Sequence, residues 1–283
     1  MRPQEFNELR KFYQHRLAIN PGDDSTKETP EFWDSMAESF AKKAHSPEER
    51  RRSQQFLDRF SWEKGETVLD VACGPGTFAI PLALRGCKVT ATDFSNQMLC
   101  QLKKFATKEN CPPIDCLQGR WLETNIEDKF DTVLCMSGLG VISTDSAHNA
   151  RLAEALKKLY KLANKRLIIL VPHADSHLDA RMKQIIGEDE IPIERLRIAL
   201  IYYAMVDCGM LPSLLIIKKP FKWLFKDVEE ACSVLLKKSG IKRVDPDKYE
   251  ALKEYVSSIA VPNDKDCLTV SYSTPQALFV IEK

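Results

Sequence analysis

Residues Val68–Ala79 read VLDVACGPGTFA, and this stretch decides how the rest of the chain is understood. TVLDVA (67–72) is a short apolar run interrupted only by Asp70, the pattern of a strand buried on both faces. Gly74-Pro75-Gly76-Thr77-Phe78-Ala79 then satisfies the G-x-G-x-x-G/A spacing that carries a chain from strand to helix around a nucleotide. The spacing alone fits a dinucleotide. Asp70 does not, because a carboxylate just ahead of the loop would lie near a pyrophosphate and repel it.

Downstream, short apolar runs alternate with longer amphipathic segments, which predicts a parallel sheet with helices on both faces. Strands are expected over 67–72, 88–93, 113–119, 130–138 and 165–172, the last nearly continuous in apolar residues. TFAIPLALRG forms the first helix, closed by Gly86, and SNQMLCQLKKFATK the second, capped by Ser95. The helix before the fifth strand takes Asp145 or Ser146 as its cap and buries Leu152, Ala155, Leu156 and Leu159. Upstream, residues 1–62 are charged and helix-prone, with Phe32, Trp33, Met36 and Phe40 at helical spacing.

The regularity stops at His173. Residues 173–226 are too many for a plain loop and form a lid-like insertion with structure of its own. Ile198–Ile217 has the length of a membrane span, but Gly209 and Pro212 interrupt it, so it reads as a helix followed by a strand. In KKPFKWLFK (218–226) the lysines and aromatics alternate at period two. That fits an edge strand with lysines in water better than a base-stacking nucleic-acid surface. Residues 227–283 resume the core, with a capping box at Asp227-x-x-Glu230, a helix opened by Asp245-Pro246, and strands either side of a Pro275-Gln276 turn.

At 283 residues the chain makes one elaborated α/β domain or one domain with a large insertion. Its 41 basic and 40 acidic residues give a net charge of +1, so no overall field draws it to nucleic acid or an anionic membrane. The nine scattered cysteines, with no C-x-x-C pair, read as reduced thiols. No metal site is expected, including at His173-x-Asp175-x-His177. The polar N-terminal stretch, with Glu5 and Glu8, suggests neither a secretory signal nor a transit peptide, and a cytoplasmic protein is expected.

A run of parallel βα units closing on an antiparallel hairpin, with a glycine loop after the first strand, resembles the class I S-adenosylmethionine-dependent methyltransferases. The resemblance covers residues 60–172 by motif and the remainder by layout. VLDVACGPGTFA is similar to the family's first motif, with Ala72 where many members carry glycine. VTATDFSNQML (89–99) is similar to the second, an acid ending strand two followed by Ser and Met. FDTVLCMSG (130–138) stands where the fourth strand delivers residues to the transfer site. The implied fold is a Rossmann-like, mostly parallel seven-stranded sheet with a C-terminal antiparallel hairpin.

The implied cofactor is S-adenosylmethionine, leaving as S-adenosylhomocysteine. Its ammonium group suits Asp70, directly or through water. Ala72, Cys73, Gly74, Gly76 and Thr77 form the loop, where the two glycines let the backbone approach the ligand. Asp93 accepts from the ribose hydroxyls. Phe94 and Met98 pack on adenine, and Gly119, Arg120 and Trp121 stand where the family usually holds the adenine amino group with an acid, backbone groups of Arg120 and Trp121 taking its place. Cys135, Met136 and Ser137 form the floor beneath the sulfonium.

The segment after strand four, MSGLGVI (136–142), has neither an Asn/Asp-Pro-Pro-aromatic motif nor the Pro-Cys pair of pyrimidine methylation. The layout most resembles the small-molecule branch that includes quinone-biosynthesis enzymes, where an N-terminal helix and the insertion close over the cofactor. That implies a small-molecule acceptor, methylated by in-line displacement, near Trp33, Phe40 and Tyr203. His173 is the candidate base, and Tyr202 orients the acceptor. RIALIYYAMVDCGMLPSLLII (197–217) reads either as pocket lining or as a dimer contact or lid core, so a monomer or a homodimer is expected. An RNA or protein methyltransferase, an NAD(P)-dependent reductase and a non-catalytic cofactor-binding module remain the alternatives.

Overall fold

The computed structural model describes residues 29–146, 151–172, 177–187, 193–238, 244–263 and 267–283. The chain divides into two compact units: up to Val171 with Leu200–Leu214 and Leu278–Lys283, and Pro172–Ala199 with Leu215–Ala277.

The first unit begins with two helices that start in the same way. Thr29 caps α1 (Pro30–Ala44) and Ser46 caps α2 (Pro47–Leu57); each side chain accepts a free N–H of the first turn, from Phe32 and Glu49, and each helix opens with proline. The buried face of α1 is alanine, at Ala37, Ala41 and Ala44, while Met36 and Phe40 are 40 % and 41 % exposed. The aromatic spacing expected to mark the buried face is therefore not the packing seam. Small residues let α1 approach its neighbour closely, and the large ones lean over the edges.

The five expected strands form, as β1 (Thr67–Val71), β2 (Lys88–Asp93), β3 (Asp115–Gln118), β4 (Phe130–Met136) and β5 (Ala163–Pro172). Their order is β3-β2-β1-β4-β5, and all four pairings are parallel. Between them run α3 (Ala79–Leu84), α4 (Asn96–Lys108), the four-residue α5 (Leu139–Ile142) and α6 (Leu152–Leu162). Val68, Leu69, Val71, Val133, Leu134, Leu167 and Ile168 are all fully buried, as strands covered on both faces require. Ser95 caps α4 by accepting from Met98, and Gly86 takes a φ of 91° after α3. Arg151, not Asp145 or Ser146, stands at the N-cap of α6. The strand order reverses between β1 and β4, and in open parallel sheets that point, at the carboxyl ends, is where ligands bind.

α7 (His177–Ile186) and α8 (Ile193–Asp207) follow β5. The helix-then-strand reading of the next segment holds, with Gly209 at φ 79° leading into β6 (Ser213–Phe225). The second unit has its own core, in which Met182, Phe225, Cys232, Leu235, Leu252, Val256, Val270 and Tyr272 pack together. α9 (Val228–Lys238) and α10 (Pro246–Ile259) supply much of it. The expected caps are present: Asp227 accepts from the Glu230 N–H, and Asp245 from the Asp247 N–H. β6 alternates as expected. Phe221 and Trp223 turn inward onto Tyr272, at ring distances of 5.5 and 5.7 Å, while Lys218 and Lys222 are exposed.

The terminal hairpin is present in a different place. β7 (Ala260–Pro262) pairs antiparallel with the start of β8 (Leu268–Glu282), and β8 then runs unbroken through Pro275 and Gln276, the expected turn. Proline is tolerated in a strand where its missing N–H is not needed by the ladder. The last residues of β8 lie beside β5, and the Lys283 N–H bonds the Lys165 carbonyl at 2.7 Å.

Candidate functional site

The loop after β1 holds three residues in left-handed backbone: Ala72 at φ 55°, Gly74 at 54° and Gly76 at 86°. A Cβ at Gly76 would stand 2.8 Å from the Leu102 side chain and 3.2 Å from Ile80. This glycine answers to packing inside the protein, between the loop and α4. At Gly74 the nearest atom to such a Cβ is on the Phe40 ring, 3.9 Å away. Across the sheet, a Cβ at Gly138 would come within 2.5 Å of the Ala72 methyl, so the ends of β1 and β4 are in tight contact.

Two carboxylates sit behind this loop. Asp70 is 1 % exposed and its Oδ2 has no hydrogen-bond partner. Burial pushes its carboxyl up to about 7, the nearby charge of Asp93 adds to this, and a bond from the Ala79 N–H works against it. Asp93 is also buried, but both its oxygens are used. Oδ2 accepts from the Gly74 N–H at 2.8 Å and Oδ1 from the Ser95 N–H at 2.9 Å. Burial raises its carboxyl above the usual range, these bonds opposing the rise. The Thr92 hydroxyl, next to Asp93, is buried without a partner as well.

At the carboxyl ends of β1, β2 and β3 lies a small cavity open to solvent. Of the residues expected to bind cofactor, Ala72, Asp93, Phe94, Gly119, Arg120 and Trp121 line it together. The Arg120 guanidinium lies 5.3 Å above the Phe94 ring. Trp121 is fixed from behind: its indole N–H donates to the Ala155 carbonyl, and the Lys158 ammonium, 4.4 Å from its ring, donates to the Trp121 and Thr124 carbonyls. Asp70, Cys73, Gly74, Gly76 and Thr77 stay in the strand and loop behind the cavity, outside its lining. Met98 is buried on α4, also outside it. Cys135 and Met136 are buried at the end of β4, the Cys135 thiol raised strongly by burial, and Ser137 is exposed at φ 66°.

Sequence reasoning missed Val71, Thr92, Val141, Ile142 and Thr144 in the lining. The last three come from α5 and its end, a helix too short and too rich in glycine to show a period. It also missed Asp34 and His45, which bond from α1 to the segments around Asp93. Of the acceptor residues, Trp33 and Phe40 form an edge-to-face pair 6.0 Å apart on α1. Tyr202 is half-buried and Tyr203 is 48 % exposed, both on α8. His173 and Asp175 of the His173-x-Asp175-x-His177 pattern lie outside the described residues, and His177 opens α7. Among the described residues no cluster could hold a metal ion, no helix is long and apolar enough to cross a membrane, and every cysteine is a free thiol.

A buried carboxyl with one unpartnered oxygen at Asp70 and a second carboxylate at Asp93, on the wall of the cavity and ready for a diol, fit S-adenosylmethionine, which carries an ammonium, a ribose and a base. The comparisons with known proteins agree. Residues 68–161 match the family described as a methyltransferase domain. An uncharacterized protein of Haemophilus influenzae is 29 % identical over 191 residues, covering 66 % of this chain and 65 % of its own. The ubiquinone biosynthesis O-methyltransferase of Chromobacterium violaceum is 37 % identical over 86 residues, 30 % of this chain and 37 % of its own. The chain thus spans less than two thirds of these relatives. In fold, the YcgJ protein of Bacillus subtilis superposes with a TM-score of 0.51 at 12 % identity, over 82 % of this chain and 98 % of that one.

Residues 68–161 are therefore those of a methyltransferase domain of the class I, S-adenosylmethionine-dependent kind.

Proposed function

We propose that this protein transfers a methyl group from S-adenosylmethionine to a small-molecule acceptor. The buried Asp70 carboxyl, whose Oδ2 has no hydrogen-bond partner, carries the reading: a carboxylate in the interior with no countercharge is costly, and a cation beside it removes the cost. When bound, the cofactor supplies a sulfonium methyl group open to in-line displacement by an acceptor atom.

The chain's own residues bind and orient. Asp70, once ionised, holds the ammonium group, directly or through water. Each Asp93 oxygen spends one lone pair on the backbone and keeps another for the ribose hydroxyls. Phe94 and Arg120 flank the base. On the acceptor side, Trp33, Phe40 and Tyr203 offer aromatic surface, Tyr202 a hydroxyl, and His173, directly after β5, a base for an oxygen or carbon acceptor. A small acceptor is supported by relatives described as ubiquinone biosynthesis O-methyltransferase and magnesium protoporphyrin IX methyltransferase. The balanced charge of the chain is consistent with that and with a cytoplasmic setting.

Calorimetric titration with S-adenosylmethionine, S-adenosylhomocysteine and NAD tests the cofactor. Binding of the first two is expected, and binding of NAD alone overturns the reading. Incubating the protein with a cell extract and methyl-labelled cofactor then tests the acceptor. Label in the metabolite fraction is expected; label confined to RNA or protein removes the small-molecule assignment.

A further inference from the structure

Asp93 is held by two backbone segments, and α1 is bonded to both. On one side is the glycine loop, where Gly74 donates to Asp93 and the next residue, Pro75, accepts from His45 Nε2 at 2.8 Å. A carbonyl only accepts, so Nε2 carries the proton. On the other side is the start of α4. Ser95 donates its N–H to Asp93 and its hydroxyl to Asp34 Oδ1 at 2.5 Å, and the Gln97 N–H meets the same Asp34 oxygen at 3.1 Å.

The two bonding residues stand at opposite ends of one helix. Asp34 is in its first turns and His45 is its C-cap, a span of roughly 16 Å at 1.5 Å per residue. His45 cannot swing away. Its side chain is 4 % exposed, its ring stacks on Phe105 at 3.9 Å, and its Nδ1 faces the Glu109 carboxylate, which is itself paired with Arg50. A rigid helix thus sets the distance between the loop that fixes one Asp93 oxygen and the helix cap that fixes the other.

We propose that Asp34 and His45 are positioning residues that hold the Asp93 carboxylate in register for the cofactor's ribose. This rests on the cofactor reading above. Neither residue touches the cavity; they act through the Gly74 and Ser95 amides, and a carboxylate displaced by a fraction of an ångström loses much of a paired hydrogen bond.

The experiment compares Asp34→Ala and His45→Ala with the conservative Asp34→Asn and His45→Gln, which keep an acceptor and a donor in place. Amide hydrogen exchange is followed at Gly74 and Ser95 in the ligand-free protein, and S-adenosylhomocysteine affinity is titrated in each variant alone and combined with Asp93→Asn. Each alanine variant is expected to speed exchange at its own amide and to weaken binding about five- to tenfold, the scale of one lost hydrogen bond. The conservative variants recover most of this, and neither alanine change costs more once Asp93 is gone. Wild-type exchange and affinity in both alanine variants would overturn the proposal, as would losses that add fully to that of Asp93→Asn. Should an alanine variant fail to fold, Asp34→Leu and His45→Phe, which keep side-chain bulk but remove the bonds, are measured against Asp93→Asn in its place. If the wild type binds no S-adenosylhomocysteine, the cofactor reading fails, and the exchange rates alone decide whether α1 holds Asp93.

Discussion

A carboxyl whose folded value is about 7 against an ordinary 3.8 makes Asp70 a source of pH dependence. Folding favours its protonated form, so the stability it contributes is complete below about pH 4 and is lost as pH rises through 7. Asp70→Asn is therefore expected to stabilise the ligand-free protein at pH 8 by up to about 4 kcal/mol, read as a higher melting temperature. Acidification to pH 5 should raise the melting temperature of the wild type more than that of the variant, in which Asp93 alone of the pair remains. The same proton competes with a bound cation. Affinity for S-adenosylhomocysteine is expected to fall about tenfold between pH 8 and pH 6, while that for methylthioadenosine, which lacks the amino acid, stays constant. Equal pH dependence for both ligands would separate Asp70 from the ammonium group.

Among the elements, α4 and β6 show how position assigns a job to a residue. Gly76→Ala places a Cβ against Leu102 and forces an alanine into left-handed backbone, and a loss of about 3 kcal/mol is expected in denaturant unfolding. A loss under 1 kcal/mol would mean that α4 moves aside. On β6, Trp223→Ala should destabilise the second unit by about 2 kcal/mol, because its ring packs on Tyr272 and Phe225. Lys222→Ala on the exposed face should change stability by less than about 0.5 kcal/mol. A reversed order would invert the strand's faces.

At the scale of the whole molecule, what was legible in the sequence is what depends on local order along the chain. The five parallel strands announce themselves as apolar runs, and the motif spacing alone brings Ala72, Asp93, Phe94 and Gly119–Trp121 to one set of strand ends. The alternating aromatics of β6 likewise placed its inner face. What failed depends on partners far away in sequence. Pro275 looks like a turn, yet β8 runs through it unbroken. That Gly76 also makes room for Leu102 is visible only once α4 is folded against the loop. Asp34 and His45 are unremarkable on a charged helix, and only the fold brings them to Ser95 and Pro75.

The unpaired carboxylate of Asp70 also ties the lifetime of the protein to its ligand. An empty molecule above neutral pH keeps a charge buried without compensation, and occupancy removes that burden along with the usual gain from mass action. Limited proteolysis at about pH 7.5 should therefore cut the ligand-free wild type several times faster than the S-adenosylhomocysteine-saturated form, with a smaller contrast in Asp70→Asn. In a cell whose cofactor pool runs low, the same carboxylate would make the idle copies the first to be cleared.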